Sequence, residues 1–125
     1  MTAGFLRDKL EPWTPRTFGA ALADAASRQP HAEAAVIGGK RLTWAGLLET
    51  ARRAASGLYG LGIRRGDHVA VCMENSADWL SVFYGCALIG AVVVPVNTRF
   101  KESELRYCLA QSDARALVIS DRFLK

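Results

Sequence analysis

The sequence lacks the clustered histidines and cysteines on which metal and thiol chemistry depend. In 125 residues it has two histidines, His31 and His68, and three cysteines, Cys72, Cys86 and Cys108. No CxxC occurs, and neither histidine stands at metal-ligand spacing from a cysteine, so no metal site is expected. An odd number of widely spaced cysteines also excludes the disulfide framework of a small secreted domain. Cys72 falls in a strand pattern, Cys86 in an apolar helix and Cys108 on the apolar face of a helix. All three are expected to be buried small hydrophobes in a reducing, cytoplasmic setting. The histidines sit in a loop and at a strand start, and no Ser/His/Asp or Cys/His arrangement is visible.

Long apolar runs are missing too. The longest candidate, Ala77 to Val96, is interrupted by Asp78, Ser81, Gly85, Gly90 and Pro95. It changes midway from helical to strand character, so it reads as a buried helix followed by a buried strand and not as a membrane span. Arg7, Asp8, Lys9 and Glu11 crowd the first dozen residues with no apolar stretch after them, which excludes a secretory signal. A concentrated basic region is absent as well, although the net charge is +4. Arg52-Arg53 and Arg64-Arg65 are isolated pairs among apolar and turn residues, without interleaved aromatics. They read as solvated helix ends and faces, and no nucleic-acid partner is expected.

What is present is an ordinary globular composition, 50% hydrophobic and 22% charged, in a length that suits one domain with a core. Residues 1–16 have no periodicity, and Pro12 and Pro15 mark them as an irregular arm. Thr17 is a candidate N-cap for a helix carrying Phe18, Ala21, Leu22 and Ala25, closed by Pro30. Glu33 to Ile37 and Lys40 to Leu42 read as a hairpin around Gly38-Gly39. Thr43 opens a helix with an apolar stripe of Trp44, Leu47, Leu48, Ala51, Ala54, Ala55 and Leu58, stopped by Gly60 and Gly62. His68 to Met73 is a strand of mixed burial. Asn75 or Ser76 caps a helix to about Ile89 that is apolar almost all round and should lie between layers.

Ala91 to Val94 has the continuous apolar character of a strand covered on both faces. A helix over 101–112 follows, turning Leu105, Cys108 and Leu109 inward, although Lys101 stands where a Ser or Thr cap would pair with Glu104. Ala114 to Ser120 is the last strand, and Asp121 is placed to cap a further helix. The order α-β-β-α-β-α-β-α-β predicts an α/β fold: a partial, mostly parallel sheet with right-handed βαβ crossovers, plus an N-terminal β-hairpin.

Two glycine clusters fail as nucleotide loops. Gly38-Gly39-Lys40 lacks the spacing of a phosphate loop, and no helix follows it at once. Gly57, Gly60, Gly62 and Gly66 follow a helix and precede a strand, the reverse of a dinucleotide fingerprint. Of the candidate carboxylates Asp67, Glu74 and Asp78, Asp67 reads as a turn residue, and Asp78 as a first-turn charge that suits the helix dipole. Asn97-Thr98-Arg99 stands apart. It lies just beyond the C-terminal end of a strand, the edge at which open α/β sheets bind ligands. An Arg there either holds a phosphate through paired N–H donors or caps nearby carbonyls.

Three stretches then carry a resemblance. Leu42 to Leu47 (LTWAGL), Met73 to Leu80 (MENSADWL) and Leu88 to Asn97 (LIGAVVVPVN) occur in this order and spacing. From about Thr17 to Ser120 the chain resembles the first part of the large N-terminal domain of AMP-forming acyl-CoA synthetases. That superfamily also contains luciferases and peptide-synthetase adenylation domains. The segment Val96-Asn97-Thr98-Arg99-Phe100 is similar to the acyl-CoA ligase version and lacks the acidic, Pro/Tyr-rich turn of the peptide-synthetase one.

The resemblance implies a parent ligase that activates a fatty or aromatic carboxylic acid with ATP and Mg²⁺ to an acyl-adenylate and then transfers it to CoA. It implies a role for Arg99 at the phosphate-bearing nucleotide of CoA. The family's Gly/Ser/Thr-rich phosphate loop with its Lys, its Thr-Glu pair, its ribose-binding Asp and its late catalytic Lys have no match here, so no catalytic residue is expected in this chain. Residues 17–125 are accordingly expected to be a scaffold portion of an AMP-binding domain, truncated at its C-terminal end. Alone it should be inactive, hold no cofactor tightly and self-associate through exposed apolar surface. Two rival readings are a self-contained α/β interaction module and a piece of a peptide-synthetase adenylation domain.

Overall fold

A computed structural model describes residues 16–124. The irregular arm expected over 1–16 therefore lies, but for Arg16, outside the described residues. Helix α1 (Phe18–Arg28) begins where expected, with Thr17 Oγ1 accepting from the Ala20 N–H at 3.0 Å. Strands β1 (Glu33–Ile37) and β2 (Lys40–Thr43) pair antiparallel. Gly38 and Gly39 both adopt positive φ, the backbone that a two-residue hairpin turn with the right-handed strand twist requires.

Helix α2 (Trp44–Gly60) is capped by Thr43, whose hydroxyl accepts from the Gly46 N–H at 3.0 Å. Its buried residues Leu47, Ala51, Ala55 and Leu58 recur at helical spacing. Helix α3 (Ala77–Ile89) is capped by Ser76 Oγ, which accepts from Trp79 N–H at 3.1 Å, and it ends at Gly90 with φ 75°. Of the two cap candidates the structure uses Ser76, not Asn75.

β3 (His68–Cys72), β4 (Val92–Pro95) and β5 (Ala114–Ile119) form a parallel sheet in the order β4-β3-β5. The sidedness of the crossovers follows from the packing. On one face Val69 and Val71 of β3 meet Cys86 of α3 and Leu58 of α2. On the other, Ala70 and Cys72 pack with Leu105 and Leu109 of helix α4 (Glu102–Gln111). Successive strands step first to one side of β3 and then to the other. Crossovers of a single hand then place α3 and α4 on opposite faces. A further layer of α1 and α2 covers the outer side of α3, where Leu22, Leu47 and Ala51 are buried with Leu80, Tyr84 and Leu88. The near-uniform apolarity of α3 is thus explained: it has the sheet on one side and helices on the other.

The contact between α2 and α3 is unusually close. A Cβ placed on Gly85 would stand 2.8 Å from Ala54 Cβ and 3.0 Å from both the Ala51 carbonyl oxygen and the Ala55 nitrogen. Only hydrogen fits between the two backbones at this point. Nearby, Ser81 Oγ donates to Thr50 Oγ1 at 2.8 Å, which satisfies a hydroxyl pair at the crossing.

Four expectations need correction. The strand read as Ala91 to Val94 is Val92–Pro95 and lies at the edge of the described sheet, with Val92 45% exposed. β3, expected to have mixed burial, is the fully enclosed strand: α2 and α3 cover one face, α4 covers the other, and β4 and β5 flank its edges. Cys108 is half-buried, as are Leu105 and Leu109 beside it on α4, a helix with no fully buried residue. Asp121 does not cap a helix: Ser120 occupies the cap position of a short 3₁₀ turn over Asp121–Phe123. Lys101 offers no acceptor, so only the return half of the capping pair forms, Lys101 N–H donating to Glu104 Oε2 at 2.8 Å.

Gly85→Ala is expected to destabilise the protein by about 1–3 kcal/mol through overpacking. Gly57→Ala, in the same helix layer but with open space around the added carbon, should be neutral or stabilising by up to about 1 kcal/mol. Urea unfolding of both variants checks this. Equal midpoints would show that the crossing tolerates a methyl group.

Candidate functional site

The three parallel strands all end at one edge, and the residues that follow them meet there. Cys72 leads into Met73, Glu74 and Asn75; Pro95 into Val96, Asn97, Thr98 and Arg99; Ile119 into Ser120, Asp121 and Arg122. Backbone bonds extend the sheet one residue past its strands. Val96 N–H donates to Val71 O at 2.9 Å, and Ser120 N–H donates to Cys72 O at 3.1 Å.

This registers Ser120 beside Glu74. Ser120 Oγ donates to Glu74 Oε2 at 2.8 Å, joining the ends of β3 and β5. Glu74 is held below the usual carboxylate value. The main cause is the hydrogen bond from its own backbone N–H, followed by the Ser120 hydroxyl and, more weakly, the charge of Arg122.

Beyond β4, Asn97 builds the loop. Its Oδ1 accepts from the Arg99 N–H at 2.9 Å, and its carbonyl accepts from the Phe100 N–H at 3.1 Å. An Asx turn inside a β-turn fixes this backbone without help from other elements. Arg99 is left exposed, and among the described residues its guanidinium makes no hydrogen bond or ion pair. The carbonyl-capping role is therefore not what it performs here. Beside the loop lies a cleft of about 630 Å³ between α4, β5 and the 3₁₀ turn. Cys72, Leu105, Leu117 and Ile119 form apolar walls, Lys101 and Arg122 contribute positive charge, and Glu102 contributes negative charge.

The other carboxylates divide. Asp67 is at the opposite, N-terminal end of the sheet, accepting from the Arg64 N–H at 2.7 Å with Arg115 at 3.7 Å; it is the expected turn residue. Asp78 occupies the first turn of α3 as expected. It shares a smaller cleft of about 260 Å³ with Glu74, Gly38 and Lys40. The hairpin tip thus stands over the start of α3, a proximity that its own sequence does not reveal. Ser120 and Arg122 were not singled out from the sequence. The available signal was positional, because they follow β5 as Asn97 and Arg99 follow β4.

No nucleophile is poised in this region. Burial raises the Cys72 thiol and pushes Cys86 up to about 11, so both are protonated at neutral pH. His68 Nδ1 pairs with the Ser112 carbonyl at the far end of the sheet. Among the described residues no three His, Cys, Asp or Glu side chains come together as a metal site.

Comparison with known proteins places these features. A model of the AMP-binding enzyme family matches residues 22–125. The long-chain-fatty-acid–CoA ligase FadD13 of Mycobacterium tuberculosis is 41% identical over 78 residues, 62% of this chain and 16% of that protein. The mitochondrial medium-chain acyl-CoA ligase ACSF2 of Bos taurus is 36% identical over 110 residues, 86% of this chain and 18% of that protein. A solved Mycobacterium tuberculosis fatty acyl CoA synthetase superposes with a TM-score of 0.80 at 34% identity, covering 86% of this chain and 22% of that one. The chain spans a fifth or less of the length of the curated relatives it matches.

The depressed Glu74 value has a signed consequence. Its stabilising contribution is present above the ordinary carboxylate pKa and is lost as pH falls through the folded value. Glu74→Gln should flatten the acid limb of the stability–pH curve. Ser120→Ala should raise the Glu74 pKa, read by NMR titration. An unmoved titration in Ser120→Ala would remove the serine from the account.

Proposed function

The chain belongs to the AMP-binding enzyme family, and from that membership we propose that it forms the opening scaffold of an AMP-forming acid–thiol ligase. The parent enzyme activates a fatty or aromatic carboxylic acid with ATP, giving an acyl-adenylate and pyrophosphate, and passes the acyl group to the thiol of CoA. In this reading residues 17–125 are part of the AMP-binding domain. The setting is cytoplasmic. The observation that carries the ligase reading is Arg99, an exposed guanidinium on a self-supporting turn at the ligand-binding edge, in a chain whose relatives include acyl-CoA ligases.

Arg99 fits a phosphate of the CoA nucleotide, because its planar fork presents two parallel donors to two oxygens. ATP and Mg²⁺ are assigned to parts of the parent enzyme that this chain does not contain. The described residues offer no carboxylate cluster for the metal, and neither Lys40 nor Lys101 follows a Gly/Ser/Thr-rich loop. The contribution of this chain is structural: it supplies the sheet edge against which those groups are positioned.

The test uses the full-length parent enzyme. Arg99→Ala should raise KM for CoA by about 10- to 100-fold, the value of a lost charge-assisted bond. It should leave acid-dependent ATP–pyrophosphate exchange intact, since that half-reaction precedes CoA. The 125 residues alone should show no exchange. An unchanged KM for CoA would remove the role of Arg99, and absence of exchange with every carboxylic acid tried would overturn the ligase reading itself.

Exposed Phe18, Val92 and Leu124, together with the unpaired edge of β4, should make the isolated chain self-associate. Light scattering across a concentration series checks this. A monomer at all concentrations would contradict it.

A further inference from the structure

We propose that the C-terminal end of α2 and the turn after it form a docking surface for an anionic lipid membrane. This surface lies at the end of the sheet opposite to Arg99 and is independent of the ligase reading. Between Glu49 and Asp67 the chain has four arginines, Arg52, Arg53, Arg64 and Arg65, and no acidic residue. All four are exposed. From the sequence they are two unrelated pairs. In the structure, Arg53 lies on the outward face of α2, away from the buried stripe of Leu47, Ala51, Ala55 and Leu58, and Arg52 stands beside it at the rim of the cleft between α2 and α1. Arg64 and Arg65 stand just past the same helix, roughly 10 Å further along its axis at 1.5 Å per residue. Two acids flank the patch: Glu49 lies one turn before Arg52, on the side away from the tip, and Asp67, only 17% exposed, turns inward and accepts from the Arg64 N–H at 2.7 Å.

Between the two pairs the surface is apolar. Leu61 is 79% exposed, the highest value for any large hydrophobe among the described residues, and Tyr59 is 53% exposed. The tip is held in a defined shape. Arg64 Nη1 donates to the carbonyls of Tyr59 and Ile63 at 2.9 and 3.0 Å, which caps the helix end. Its guanidinium carbon lies 3.6 Å from the centroid of the Tyr59 ring. Gly57, Gly60 and Gly62 have open space where a side chain would project, so the backbone itself can approach a flat surface.

An exposed leucine and tyrosine flanked by cations match the chemistry of a headgroup boundary. The leucine can enter the acyl region, the amphipathic ring can sit at headgroup depth and the arginines can reach lipid phosphates. A single-stranded nucleic acid fits less well, because it needs a free aromatic face and Arg64 already covers that of Tyr59. A purely acidic partner would engage the arginines and leave Leu61 in water.

The test is sedimentation of the chain with phosphatidylcholine vesicles, with and without phosphatidylserine. Binding should require phosphatidylserine and weaken with salt. Arg52→Ala with Arg53→Ala should lower the partition coefficient by about 25-fold, about fivefold for each arginine, and Arg52→Lys with Arg53→Lys should retain it. Leu61→Ser should lower it by about tenfold or more. All these side chains are exposed, so circular dichroism and the unfolding midpoint should not change. Equal binding to neutral vesicles, no binding to either kind, or insensitivity to the arginine variants would overturn the proposal. So would an unchanged partition of Leu61→Ser, or binding to an oligonucleotide but not to vesicles.

Discussion

Helix α3 touches α2 backbone to backbone at Gly85, and the remaining packing is arranged around that contact. With no side chain between them, the two helices approach closely enough for Ser81 to reach Thr50. The same closeness brings Cys86, the next residue on α3, down onto Val69 and Val71 of the central strand. On its other side α3 receives α1 in a similar manner, where a carbon added to Gly19 would lie 3.3 Å from Leu88 Cδ2. One 13-residue helix is thereby fixed from three directions. The position of β4 follows, because Gly90 ends the helix and feeds the chain directly into that strand.

The sheet converts this packing into a shared edge. Parallel strands place their C-terminal ends on one side, and the order β4-β3-β5 brings three chain segments that are remote in sequence into one row. Their contents differ in kind. Glu74 and Ser120 are bonded to each other and tie the edge together, whereas Arg99 is presented outward by a turn that Asn97 stabilises locally. A rigid pair beside an uncommitted guanidinium suits recognition of an anion, because the cation need not be pulled from an existing partner before it binds.

Most of the element pattern was legible in the sequence because its signals are local. Thr17, Thr43 and Ser76 are hydroxyl caps, Gly38-Gly39 supplies two positive φ values, and Gly90 stops a helix; each acts within four residues. The placement of Arg99 past a strand end was legible for a related reason, since the end of a strand and an Asn turn are both local. What was not legible depends on lateral order. Nothing in Val92–Val94 says that the strand lies at the sheet edge, and nothing in Val69–Cys72 says that later strands enclose it. The Glu74–Ser120 bond is hidden in the same way, being a product of register between strands. Cys108 was misjudged because an apolar helical face reports which side turns inward and not how completely that side is covered, and no residue of α4 is fully buried.

The central place of β3 also bears on how the chain reaches this structure. One edge of β3 is filled by β4 soon after it is made, but its other partner begins at Ala114, and the residues paired across that side are 46 or 47 positions apart. At about 5–20 residues per second, a ribosome takes roughly 2–9 seconds to deliver them. During that interval the most deeply buried strand among the described residues has one side unpaired. The nascent chain is therefore at its most adhesive just before its sheet is complete, and its yield in a cell depends on what occupies that edge in the meantime.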